Sequence, residues 1–215
     1  MNIIFQLSVP REICNKIFQY ACKSPHNGLG IQVLKHFANI DDDDCNNLPS
    51  NDEEIVHFKS SKYSFINILK PLDIFKIGRF TNITNLTIAP STIGYSSGIV
   101  GDIQVLRFMP KLVNIYIKDS FISGNIKNLQ HLYDLQHLYI IRTCIYGDLR
   151  HISKLNQLIT INLNDTNING DIRSIKTNKS LVCVHIHKTN ISTYYFNEFN
   201  SYRNKHNLPG CPVVI

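Results

Sequence analysis

Apolar residues recur along the second half of the chain with one fixed spacing. Leu112, Leu135, Leu158 and Leu181 each stand 23 residues apart, and each opens the same run. Leu112-x-x-Ile115-x-Ile117 returns as Leu135-x-x-Leu138-x-Ile140, Leu158-x-x-Ile161-x-Leu163 and Leu181-x-x-Val184-x-Ile186. Behind each run comes a small hydroxyl (Ser120, Thr143, Thr166, Thr189), then Ile122, Ile145, Ile168 or Ile191. Gly124-Asn125, Gly147-Asp148 and Gly170-Asp171 follow. Gly101-Asp102-Ile103 keeps the period, and Asp73-Ile74 begins an earlier copy through Ile77, Phe80, Ile83, Leu86 and Ile88. Six extra residues lie between Ile88 and Ile99, in a stretch with Ser91, Gly94, Ser96, Ser97 and Gly98, which predicts a surface loop.

A period of this length marks a repeat architecture, in which one coil cannot bury its own apolar side and neighbours must stack. The alternating apolar run predicts a short strand with its apolar residues turned into the stack. Glycine allows a backbone turn that a side chain would hinder. Leu129, Leu132 and Leu135, three residues apart, suit a 3₁₀-like return. The hydroxyl column is expected to satisfy turn backbone groups along the stack. The predicted fold is an α/β solenoid: short parallel strands, 3₁₀ or irregular returns, a small helical N-terminal region and a helix-strand C-terminal cap. Tyr194, Tyr195, Phe196, Phe199 and Tyr202 suggest the cap helix, ended near Asn207 to Gly210, and Leu208-x-x-Cys211-x-Val213 repeats the strand pattern.

These repeats resemble the leucine-rich-repeat family, most closely the plant-like class, over roughly residues 60 to 215. Thr stands in place of the ladder Asn, Asp follows the Gly, and each repeat is one residue shorter and lacks the Pro. Similar Thr/Gly-Asp repeats occur in algal and other protist proteins. The resemblance implies a platform that holds a macromolecular partner.

Ahead of the repeats, Val9-Pro10-Arg11-Glu12-Ile13-Cys14-Asn15-Lys16-Ile17-Phe18-Gln19-Tyr20 predicts an amphipathic helix. Ser8 can cap it, Pro10 suits its first turn, and Ile13, Ile17 and Tyr20 share a face. The run resembles the opening of an F-box, which implies a ubiquitin-ligase substrate receptor with Pro10, Ile13 and Ile17 on the adaptor-docking face. The later part of an F-box, with its Trp, has no counterpart, since the chain holds no Trp. A helix that shields the first coil is the preferred reading. The expected division is a helical region over 1–40, an acidic linker over 41–54, and the repeat domain over 55–215 with its cap over 192–215.

Composition changes this picture little. Of 215 residues, 43% are hydrophobic, enough for a folded core. The net charge of +6 is uneven: Asp41 to Glu54 carries seven acids and no base, while the chain from Ile55 onward has 18 Lys/Arg against 8 Asp/Glu. An acidic partner is therefore plausible beside a plain solvated surface. Six cysteines without paired spacing read as reduced thiols, and the first ten residues lack a basic start, so an intracellular (cytoplasmic or nuclear) protein is expected. No apolar run is long enough for a membrane span. The N-x-S/T sequons at Asn82, Asn85, Asn164 and Asn190 then read as accidents of an Asn/Thr-rich repeat.

Strand alternation names the residues of the concave face. One column is Thr87, Tyr116, Tyr139, Asn162 and His185. A second is Asn85, Asn114, His137, Thr160 and Cys183. A third is Ala89, Lys118, Ile141, Asn164 and His187, flanked by Asp119, Arg142, Asp165 and Lys188. The candidate partner-binding set is Asn114, Tyr116, Lys118, His137, Tyr139, Arg142, Asn162, His185 and His187, because aromatic, imidazole and guanidinium groups side by side suit recognition. Cys183-x-His185-x-His187 could suggest zinc, but alternate strand residues stand about 6.8 Å apart and no standard ligand spacing is present, so no metal is expected. Gln104, Lys127, Arg150 and Arg173 form an outer stripe that could meet a polyanion, but Asp102, Asp148 and Asp171 partly offset it and it lacks stacking aromatics, so a solvated face is the preferred reading and nucleic acid is not expected. No nucleophile elbow, phosphate loop or metalloprotease motif occurs. The expectation is a non-enzymatic module without cofactor, whose partner is a protein.

Overall fold

The structure, a computed structural model, describes residues 57–59, 72–74, 81–89 and 99–215. The N-terminal helix with Pro10, Ile13 and Ile17, the acidic segment and most of the loop before Ile99 lie outside the described residues. The strands are β1 (His57–Lys59), β2 (Leu72–Asp73), β3 (Asn85–Ile88), β4 (Ile99–Asp102), β5 (Asn114–Lys118), β6 (Phe121–Asn125), β7 (His137–Ile141), β8 (Cys144–Asp148), β9 (Thr160–Asn162), β10 (Asn167–Asp171), β11 (Cys183–His185), β12 (Asn190–Ser192) and β13 (Val213–Val214). Among the described residues one α-helix, α1 (Phe196–Lys205), lies before β13.

The coils stack in register. A seven-stranded parallel sheet runs β1-β3-β5-β7-β9-β11-β13. It pairs Ile115 with Leu138, Leu138 with Ile161, and Ile161 with Val184, one period per step. Leu86 pairs with Ile115, so the ladder keeps its register across the six extra residues. Inside, Ile126, Leu129, Leu132, Leu135, Leu138 and Ile140 are fully buried, and the same columns continue through the neighbouring coils as one core.

A second sheet was not foreseen from the pattern. The Ile-x-Gly-Asp segments, read as a turn, form a six-stranded parallel sheet in the order β12-β10-β8-β6-β4-β2. Its partners fall two residues short of a full period, as in Gly124 with Ile145 and Gly147 with Ile168. That stagger sets the Asp or Asn of one coil over the Gly of the next. A Cβ on Gly147 would stand 2.5 Å from Asn125 Oδ1, and one on Gly170 would stand 2.7 Å from Asp148 Oδ1. The overlying side chain also starts the 3₁₀ return. Asp102, Asn125, Asp148 and Asp171 accept from the backbone N–H of Gln104, Lys127, Arg150 and Arg173 at 2.7–2.9 Å. This is the satisfaction of an orphan N–H that Asp and Asn give at helix starts.

The hydroxyl column lies where the repeat places it. Ser120, Thr143 and Thr166 are buried. Thr166 Oγ1 donates to the Leu163 carbonyl (2.6 Å) and Thr189 Oγ1 to that of Ile186 (2.8 Å). Thr143 Oγ1 accepts from Ile145 N–H at 3.4 Å. Ser120 Oγ finds no partner among the described residues. Each coil bends into this column through a left-handed residue that is not glycine: Asp119, Arg142, Asp165 and Lys188, with φ of 49–55°.

The C-terminal cap departs from the repeat. Val184 pairs with Val213, not with Cys211 as the repeated pattern implied. The slip is of two residues, so the inward and outward faces are kept. Arg203 on α1 donates from Nε and Nη2 to the Pro209 carbonyl (3.1 and 2.8 Å), which ties down the loop before β13. Cys211 is buried, and burial pushes its thiol up to about 11. It is therefore a protonated core thiol at neutral pH.

Candidate functional site

The seven-stranded sheet has one face on the core and one on solvent. The alternation of half-buried and buried residues in β5 and β7 turns Asn114, Tyr116 and Lys118, and His137, Tyr139 and Ile141, to the solvent side. Pairing joins them in columns: Asn114 beside His137, Tyr116 beside Tyr139, Lys118 beside Ile141, His137 beside Thr160, Tyr139 beside Asn162, and Asn162 beside His185. The sheet thus brings together the inner residues of the candidate set. Arg142 stands apart, at the left-handed corner that ends the strand.

These side chains hold one another. Tyr116 and Tyr139 rings lie 5.9 Å apart at 47°, and the His137 ring stacks on Tyr139 at 6.4 Å and 16°. The Thr160 hydroxyl donates to Tyr139 OH (3.0 Å), and His137 Nδ1 lies 2.8 Å from Thr160 Oγ1. The face then offers a partner the Tyr139 hydroxyl and the free Nε2 side of the His137 ring. Asn114 Nδ2 donates to Asn85 Oδ1, so amides link two coils at the other end of the column. Asn164 Oδ1 accepts from His187 N–H at 2.8 Å.

At the corner, charges alternate from coil to coil. Arg142 pairs with Asp119 (2.9 Å) and Lys188 with Asp165 (3.4 Å), and Lys118 reaches within 4.0 Å of Asp119. Such surface pairs contribute about 0–1 kcal/mol each. Their larger consequence is to set which charges face outward.

Cys183 and His185 bend together despite the spacing of their backbones, with Sγ 3.2 Å from His185 Nε2. No group of three His, Cys, Asp or Glu placed to hold a metal occurs among the described residues.

The outer stripe is not a basic track. Arg150 pairs with Asp148 at 2.7 Å. Burial pushes the Asp148 carboxyl up, but the Arg150 side-chain and backbone hydrogen bonds and the guanidinium charge outweigh it and hold the carboxyl below its ordinary value. The Arg173 side-chain hydrogen bond similarly holds Asp171 low. Arg173 also bonds Glu198 at 3.0 Å and lies 3.5 Å over the Tyr195 ring, so it fastens the cap to the last coil. Two of the stripe's three cations, Arg150 and Arg173, are thus paired with carboxylates.

The pattern missed two residues of the cap. Asn178 occupies the column of Leu132 and Leu155, is fully buried, and donates from Nδ2 to the Leu155 carbonyl at 3.0 Å. Arg203 lies beneath α1 with its guanidinium on four backbone carbonyls. The polar break in an apolar column was a visible signal for Asn178. Arg203, four residues after Phe199 on the buried helix face, carried no such signal.

No family model and no curated protein sequence matches the chain. Among solved structures it is similar to internalin C2 of Listeria monocytogenes at 26% identity and TM-score 0.51, over 68% of this chain and 58% of that one. It is also similar to an internalin (inlF) of the same organism, at 20% identity and TM-score 0.47, over 58% of this chain and 34% of that one. A third likeness is to the leucine-rich-repeat ectodomain of the receptor kinase SOBIR1 from Arabidopsis thaliana, at 14% identity and TM-score 0.49, over 75% of this chain and 91% of that one. The chain spans between a third and three-fifths of the two internalins.

Proposed function

We propose, from a leucine-rich-repeat solenoid whose solvent-facing sheet carries a self-bonded aromatic and imidazole cluster, that this protein is a non-enzymatic interaction module. Its concave face receives a partner protein through Asn114, Tyr116, Lys118, His137, Tyr139, Asn162, His185 and His187, with Arg142 at the rim. The observation that carries this reading is the Tyr116–Tyr139–His137–Thr160 cluster. Its side chains are positioned before a partner arrives, so little rotamer entropy is lost on binding. Large aromatic groups with a polar tip are also the residues that dominate binding energy at protein interfaces. An acyl or phosphoryl transfer would need a water-excluding site, which a solvent-facing sheet does not supply.

Replacing Tyr116 and Tyr139 together with Ala should abolish capture of the partner from cell extract. Stability in urea should fall by no more than about 1 kcal/mol, because both rings lie outside the core. Unchanged capture, or collapse of the fold, would argue against the assignment.

A second reading rests on the F-box-like run from Pro10 to Tyr20. In it, the protein is an intracellular substrate receptor of a cullin ligase, and Ile13 and Ile17 face the adaptor. Ile13→Asp with Ile17→Asp then gives a folded protein that no longer co-purifies with that adaptor. If the helix only caps the first coil, two unpartnered charges enter an apolar contact and the protein aggregates. We favour the cap. Adaptor co-purification with the wild type, lost in a stable double variant, would reverse that preference.

A further inference from the structure

The cations and carboxylates on the open side of the seven-stranded sheet do not project equally. The inner columns from Thr87 to His185, Asn85 to Cys183 and Ala89 to His187 contain no acid. The corner column supplies two, Asp119 and Asp165. Their side chains are 13% and 26% exposed, and each is engaged by a neighbouring cation. The cations reach further out: Lys118 is 39% exposed, Arg142 44% and Lys188 66%. An arriving partner meets ammonium and guanidinium groups first, with the balancing carboxylates sunk behind them. A guanidinium held through one nitrogen keeps other N–H donors for a second acceptor. Arg142 uses Nη1 toward Asp119. The imidazoles of His137, His185 and His187 share this face with Lys118 and add no negative charge to it.

We propose that the ligand of this face is an acidic peptide segment of the partner protein. Its carboxylates engage Lys118, Arg142 and Lys188 along the rim, and an apolar or aromatic residue of the same segment covers Tyr116 and Tyr139. This rests on the concave-face reading above and adds the chemistry of what is bound. Complementary charge of this kind steers association and selects among partners. A nucleic acid fits less well, because its affinity grows with the number of phosphates neutralised and this rim sets only three cations beside two carboxylates.

The test uses the full chain and fluorescence anisotropy with a short labelled peptide alternating Asp and Ser around one central Tyr. The comparison probes are the same peptide with Asn at every Asp position and a single-stranded DNA of equal length. The Asp peptide should bind about tenfold more tightly than the Asn peptide at low salt, and added salt should erase the difference. Lys118→Gln with Lys188→Gln should remove that preference without changing thermal stability. The Tyr116→Ala, Tyr139→Ala variant should weaken both peptides. Equal binding of the two peptides, lost in the tyrosine variant, would overturn the acidic ligand and leave the concave-face reading standing. A preference for Asp that survives the lysine variant would overturn the proposal. So would failure of the Asp peptide to bind, or tighter binding of the DNA. In each case the capture experiment judges the concave-face reading separately.

Discussion

Replacing Arg203 with Met is expected to remove about 3–5 kcal/mol of stability, because several buried carbonyls lose one shared charged donor. The side chain is 1% exposed, and no carboxylate pairs with it among the described residues. Its charge is held instead by backbone carbonyls: Leu181 at 2.6 Å, Asn178 at 2.9 Å, Lys176 at 3.3 Å and Pro209 at 2.8 Å. Burial pulls its pKa below the ordinary value, but a guanidinium remains protonated across the physiological range. Met matches the stem and removes every donor, so several carbonyls at the end of the solenoid lose their partner together. Each stranded polar group costs about 1–3 kcal/mol, reduced where water enters. Arg203→Lys should recover only part of the loss, because one ammonium cannot span the positions of a planar fork. Urea unfolding followed by far-UV circular dichroism measures both variants. A loss below about 1 kcal/mol for Met would show that the cap does not depend on this clamp.

Gly147→Ala should cost about 2–4 kcal/mol. The residue has φ of 117°, a region that side chains enter at a cost of about 1–3 kcal/mol. The new Cβ also meets Asn125 Oδ1 at 2.5 Å, and that oxygen is already accepting from Lys127 N–H at 2.9 Å. Moving it aside forfeits a cap worth about 1 kcal/mol. The clash and the cap are therefore coupled. Combining Gly147→Ala with Asn125→Ala should be no worse than Gly147→Ala alone, because the obstructing side chain is gone and only the backbone strain stays. Full additivity in the double-mutant cycle would refute the close approach between coils.

Much of the solvent side of the seven-stranded sheet was legible because a strand alternates strictly. Once Leu138 and Ile140 were core, His137, Tyr139 and Ile141 had to face outward, and the fixed period put Tyr116 beside Tyr139. What their side chains do to one another was not legible. The Thr160 hydroxyl bridging His137 and Tyr139, and Cys183 turning onto His185, depend on rotamers chosen in the company of three neighbouring coils. The same holds for Arg142, grouped with the binding residues by adjacency but set at a left-handed corner and paired with Asp119.

The sequence by itself determined the period, the core columns, the buried hydroxyl ladder, the 3₁₀ returns and the presence of a helical cap. Each of these follows from which side of one coil must be dry, and a single coil already contains that information. Only the tertiary structure decided the second sheet, the two-residue slip at β13 and the sunken carboxylates of the rim. The slip falls in the cap, where the repeat no longer sets the register. The second sheet and the rim are relations between a residue and its neighbour one coil away, fixed by stagger, close approach and charge pairing across the stack, and one coil's pattern does not state how the next coil sits on it.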